Sequence, residues 1–310
     1  MTDVARSGSA LSELVGAAAV IAVCVALWHS PLAAPPPPRR VAPVAFIAVD
    51  GLTWPVLTPM LASGEAPALA GLQHAQHANL QGSGVIPLSE LWLAGAVWEH
   101  AAKSGQVCAQ LSWPSQPVAR LWKPGAVGGP AVIIDLPPVT DELVVIPPGH
   151  EPLPPDMARR MIRDLGTATA VERLVKAQHV DYLTIGLGGP RDPSKATPGG
   201  RMAPIPDGYA RMLDGVLGRI IAALGPGATI IVAGRGSGRH DLPHGQGIWL
   251  AAGPDLAEGP LPGPVRTTDL PATILTLLDV PLPAAIPGRP SPWIFAGGGQ
   301  DCPPFRWALR

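Results

Sequence analysis

Val44-Ala45-Phe46-Ile47-Ala48-Val49-Asp50-Gly51 is the stretch that decides the fold of this chain. Six apolar residues followed by Asp-Gly read as a strand buried on both faces. It delivers one carboxylate to its C-terminal end and turns on a glycine. A second stretch repeats the pattern: Thr229-Ile230-Ile231-Val232-Ala233-Gly234-Arg235-Gly236-Ser237-Gly238. Its apolar run ends in Gly-Arg where the first ends in Asp-Gly. Further apolar runs at residues 106–111, 131–135, 182–187 and 247–252 predict strands. Helical patterns lie between the runs, at residues 91–104, 156–177, 207–224 and 269–278. The third of these puts Tyr209, Met212, Val216, Ile220 and Leu224 on one face and closes at Gly225-Pro226. The alternation predicts an α/β fold over residues 44–310, with a mostly parallel central sheet and helices on both faces. Ligands of such sheets bind at the C-terminal strand edges. Asp50 and the loop from Gly234 to Gly238 are therefore expected on one edge.

Composition limits the function classes. The chain has 310 residues, 47% hydrophobic and 15% charged, with a net charge of −1. That excludes a disordered protein, and nothing electrostatic points to nucleic acid. The 40 prolines and 36 glycines sit between apolar runs and read as loops of a folded domain. Residues 14–28 are an unbroken apolar run, short of the ~20 residues of a usual spanning helix. Extended over residues 11–34, the run predicts a hydrophobic helix that anchors the chain in a membrane. A cleaved signal segment within residues 1–34 and a buried core helix are its rivals. Pro35-Pro36-Pro37-Pro38 then predicts a stiff spacer over residues 35–43. Arg39 and Arg40 weigh weakly toward a cytoplasmic domain. Of the three cysteines, Cys24 falls in the apolar run. Cys108 and Cys302 form a disulfide only if the domain is exported and the two lie close. Trp249 is expected in the core, and Trp92, Trp98, Trp113 and Trp122 in the core or in an apolar patch.

Motif order carries a family resemblance. Ile47-Ala48-Val49-Asp50-Gly51-Leu52-Thr53-Trp54, Pro87-Leu88-Ser89-Glu90-Leu91-Trp92 and Thr268-Asp269-Leu270-Pro271-Ala272-Thr273-Ile274-Leu275 occur in sequence. With residues 181–192, and residues 209–238 followed by 244–254, they resemble the alkaline phosphatase superfamily in its type I phosphodiesterase/nucleotide pyrophosphatase branch. The resemblance spans nearly everything after residue 43. It implies two zinc ions held by six Asp and His side chains from strand ends, and a Ser or Thr nucleophile. The zinc ions would clamp the phosphate and lower the pKa of that nucleophile.

Position by position, the pattern is degenerate. Asp50 matches the first ligand; its other reading is a cap on the following turn. Ser89 matches the nucleophile in a shortened loop; its other reading is a helix N-cap. Arg191 falls in the second aspartate slot with Asp192 one residue late, and Lys195 takes a histidine slot. Gly234 and Arg235 replace an Asp-His pair. His244 matches the last histidine, with His240 as competitor. At most two or three of six ligands remain. The expectation is no resident metal, or zinc at one site at most on Asp50, His244 and Asp192. Arg191, Lys195 and Arg235 instead suggest a metal-free pocket for a phosphate-like anion.

Two function classes compete. One is a membrane-anchored, catalytically inactive relative that binds a ligand or serves as a subunit with a protein partner in a membrane complex. The resemblance would put its domain on the extracytoplasmic side. The other is an active metal-dependent phosphate-ester hydrolase with Ser89 as nucleophile.

Overall fold

The computed structural model describes residues 42–81, 97–111, 118–123, 132–135, 155–189, 207–235, 247–284, 286 and 288–296. All lie in the unit Val41–Arg310. The expected hydrophobic helix and the proline spacer lie outside the described residues, apart from Ala42 and Pro43. Among the described residues no helix is long and apolar enough to cross a membrane.

The strands are β1 (Val44–Asp50), β2 (Gln76–Gln81), β3 (Cys108–Leu111), β4 (Val118–Trp122) and β5 (Val132–Asp135). They continue with β6 (Tyr182–Leu187), β7 (Thr229–Arg235), β8 (Gly247–Ala252), β9 (Gly259–Pro260) and β10 (Val265–Arg266). The helices are α1 (Trp54–Ala62), α2 (Pro67–Ala75), α3 (Val97–Lys103), α4 (Pro155–Ala177), α5 (Asp207–Leu224) and α6 (Leu270–Leu277). The strands form one sheet in the order β10-β2-β8-β7-β1-β6-β3-β4-β5, with β9 paired to β2.

The sheet is mixed, which corrects the expectation of a mostly parallel one. β7, β1, β6 and β3 are parallel at its centre. β8 is antiparallel to β7, β2 to β8, β4 to β3 and β5 to β4. Connection length explains the change. A parallel return needs a crossover of about a dozen residues or more. Only residues 112–117 join β3 to β4 and 236–246 join β7 to β8, so both pairs return antiparallel.

The central strands divide their side chains between two cores. Val44, Phe46 and Ala48 of β1 pack on the side of α3 and α6, with Trp249 among them. Ala45, Ile47 and Val49 pack on the other side, under α1, α2, α4 and α5. Both faces of β1 are therefore dry, as its unbroken apolar run requires. α5 buries Tyr209, Leu213, Val216, Leu217 and Ile220 along one stripe and ends at Gly225, whose φ is +80°. Trp98 and Trp122 are core residues, with ring centroids 5.5 Å apart. Trp92 and Trp113 lie outside the described residues. Cys108 is a buried free thiol whose pKa burial pushes up, and Cys302 lies outside the described residues.

Two buried polar groups tie the layers together. Gln76 of β2 points into the core. Its Nε2 donates to the Ala257 and Ile294 carbonyls at 2.7 and 2.9 Å, and its Oε1 accepts from Trp249 Nε1 at 3.0 Å. Asp214 of α5 does for α2 what the residue before that helix does not. Ala66 supplies no side-chain cap, and the Leu69 and Ala68 amides donate to Asp214 at 2.8 and 3.2 Å. The carboxylate thus meets both the orphan donors and the positive end of the α2 dipole. Asp214→Ala is expected to cost about 1–2 kcal/mol, the usual range for a lost cap. Chemical denaturation measures it.

Candidate functional site at the sheet edge

Three parallel strands end level with one another. Val49 pairs with Leu187 of β6 and with Gly234 of β7, and Asp50 pairs with Arg235. Asp50 is the exposed residue of a strand otherwise buried. Gly51 follows at φ +75°, the left-handed turn that Asp-Gly provides. The chain then buries Leu52, bridges Thr53 to Gly247 at the start of β8, and enters α1. Asp50 and Arg235 thus stand on the same edge, as expected.

Close backbone contacts build this edge. A Cβ on Gly234 would lie 2.1 Å from the Leu52 carbonyl oxygen, 2.8 Å from Leu52 Cβ and 2.9 Å from Ile248 Cγ1. A Cβ on Gly189, whose φ is +57°, would lie 1.7 Å from the Asp50 carbonyl oxygen. Hydrogen is the only side chain either position accepts.

Behind the edge stands a buried polar group that sequence reasoning missed. Asp164 of α4 has no accessible surface, and its Oδ1 accepts the Gly188 N–H at 2.8 Å. Burial pushes its pKa up to about 7, against the opposing pull of the Gly188 and Gly189 amides and of Arg163 and Arg160. The hydroxyl of Tyr209, on α5, faces the same carboxyl, and among the described residues neither Asp164 Oδ2 nor Tyr209 Oη has a well-formed hydrogen bond. Arg160 packs its stem on Gly188, with Cγ 3.2 Å from where a Cβ would sit. The sequence did contain a signal. Met157, Met161, Asp164, Ala168 and Val171 recur at helical spacing, so Asp164 lies on the apolar stripe of α4. A carboxylate on such a stripe is rarely buried without a task.

The other predicted residues, Ser89, Arg191, Asp192, Lys195, His244 and its competitor His240, lie outside the described residues. Among the described residues no group of three His, Cys, Asp or Glu side chains stands close enough to hold a metal ion.

No sequence-family model and no curated protein matches this chain. Solved structures do. A Bacteroides thetaiotaomicron protein assigned as a sulfatase superposes with a TM-score of 0.59 at 11% identity, covering 83% of this chain and 75% of that one. Murine ectonucleotide pyrophosphatase/phosphodiesterase 5, as an inactive variant in complex with AMP, superposes with a TM-score of 0.52 at 10% identity. That match covers 84% of this chain and 99% of the murine one. The fold of this chain is alkaline phosphatase-like, as the motif order implied.

The resemblance implies a two-zinc centre, and among the described residues the end of β7 offers it no ligand. The β7 end is sealed at Gly234 by the Leu52 carbonyl, so no ligating side chain has room there. The next position, at the register of Asp50, is Arg235. Two zinc ions need roughly three protein ligands each.

Proposed function

We propose that this chain uses an alkaline phosphatase-like scaffold to bind an oxyanion, without the two-zinc hydrolysis that the fold implies. The observation that carries this reading is the sealed seat at Gly234, with Arg235 at the register of Asp50. In this reading Arg191, Lys195 and Arg235 supply the charge, and guanidinium forks suit tetrahedral phosphate or sulfate. Residues 11–34 tether the domain to a membrane, with the domain on the extracytoplasmic side. There it serves as a binding subunit with a protein partner in a larger assembly. No metal cofactor belongs to this reading.

The test is thermal. Sulfate or inorganic phosphate at about 100 times its Kd is expected to stabilise the full chain by ~2.7 kcal/mol, a rise of a few degrees in Tm. Arg235→Ala is expected to remove the rise. A wild-type Tm that ignores both anions contradicts the reading. The hydrolase reading has one observation in its favour, the exposure of Asp50 at the strand edge. It uses Ser89 as nucleophile, with one zinc at most on Asp50, Asp192 and His244. Turnover that Ser89→Ala abolishes would establish it.

A further inference from the structure

Asp164 touches the candidate edge through two glycines. Its Oδ1 holds the Gly188 amide at 2.8 Å, and the Gly189 amide lies against the same carboxyl. Gly189 in turn lies so close to the Asp50 backbone that a Cβ would meet its carbonyl oxygen at 1.7 Å. The Arg160 stem closes the other side of Gly188, with Cγ 3.2 Å from the position of a Cβ. The turn after β6 is thus clamped between a fully buried carboxylate and the end of β1. A buried carboxylate is costly unless its hydrogen bonds accomplish something. Here they fix two amides whose neighbour is the exposed residue of the edge.

The geometry points to Asp164 as a positioning residue for the Asp50 strand end: its carboxyl holds the Gly188-Gly189 turn against the Asp50 carbonyl and so fixes the edge at which an oxyanion binds. The clamp stands on the contacts above. Its consequence for a ligand rests on the oxyanion reading. The Tyr209 hydroxyl faces the same carboxyl from α5 and also lies within electrostatic reach of Asp50.

Amide hydrogen exchange and sulfate binding of the full chain test this together. In Asp164→Ala the Gly188 and Gly189 amides are expected to exchange at least about tenfold faster than in the wild type, as local release of a buried hydrogen bond demands. The Asp50 and Gly51 amides follow them, and those of Ile248 and Leu250 in β8 do not. Asp164→Asn keeps an acceptor oxygen in the same place and is expected to restore wild-type protection. Sulfate affinity should follow the same order, falling about tenfold in the alanine variant and recovering in the asparagine one. Uniform acceleration across β1, β6 and β8 in Asp164→Ala would reduce Asp164 to a general stabiliser and overturn the proposal. Unchanged protection at Gly188 and Gly189 would overturn it too. If Asp164→Ala does not fold, Asp164→Asn and Tyr209→Phe decide. Loss of Gly188 and Gly189 protection in the asparagine variant, or a larger loss in the phenylalanine one, contradicts the assignment. A wild type that binds no sulfate sinks the oxyanion reading alone, and the exchange data still decide the clamp.

Discussion

Gly234→Asp, which puts back the carboxylate that a metal-binding strand end would carry, is expected to unfold the domain rather than to restore a zinc site. The obstacle is backbone. Any Cβ at 234 lies 2.1 Å from the Leu52 carbonyl oxygen, a backbone atom that cannot rotate away, and 2.9 Å from Ile248 Cγ1. Overpacking a well-filled core usually costs about 1–3 kcal/mol. Gly234→Ala is expected at the top of that range, ~3 kcal/mol, because the nearest atom is a carbonyl oxygen and not a flexible side chain. Aspartate adds the desolvation of a carboxylate, several kcal/mol in a dry site, which consumes most of an ordinary domain's stability. Gly215 in α5 is the control, since a Cβ there meets nothing within 4 Å. Gly215→Ala is expected to stabilise by ~0.5–1 kcal/mol through helix propensity. Urea midpoints of the three variants measure the contrast. Gly234→Ala at wild-type stability would show that the seat is open.

The second large effect is in pH. Asp164 has its pKa raised from 3.8 to about 7 in the folded chain, chiefly by burial. The sign follows from linkage. The folded state binds the proton more tightly than the unfolded state, so stability from this group is fully present below the unfolded value near 4. It is lost as pH rises through about 7. Three pKa units correspond to about 4 kcal/mol at most. The groups that face the carboxyl are Arg160 and Arg163 on its own helix, Tyr209 on α5 and, through Tyr209, Asp50 on β1. The arginines moderate the rise without cancelling it. Asp214 is raised by burial as well and contributes with the same sign. The clean measurement is therefore the difference between the wild type and Asp164→Asn. That difference should shift steadily in favour of the variant between about pH 4 and pH 7. A difference independent of pH would mean that Asp164 is ionised throughout.

The central strands were legible because β1, β6, β7 and β8 are apolar on both faces, and only a covered sheet asks for that. α5 was legible from its stripe, and its predicted bounds are those observed. β2 was not, since Gln76, His77, Asn79 and Gln81 hide a strand whose inward glutamine is satisfied only by residues from β8 and beyond. Strand direction at the flanks escaped for a related reason. Apolar runs mark a strand but not its sense, and connection length decides that. At the site, Asp50, Gly234 and Arg235 were legible because each ends an apolar run. The sealing of Gly234 was not, because its wall comes from Leu52 and Ile248, remote in sequence. Asp164 escaped because a carboxylate between Arg163 and Leu165 reads locally as a solvated helix face.

The scaffold is similar to those of a sulfatase and a phosphodiesterase, while position 234 at the end of β7 is walled by Leu52 and Ile248. A fold does not carry its chemistry with it; the residues at the edge do. Zinc content and turnover of bis-p-nitrophenyl phosphate, measured on one sample of the full chain supplied with zinc, test this most directly. Zinc well below two ions per chain and no turnover above the metal-containing buffer are expected. Two zinc ions per chain, with turnover that Ser89→Ala abolishes, would contradict it.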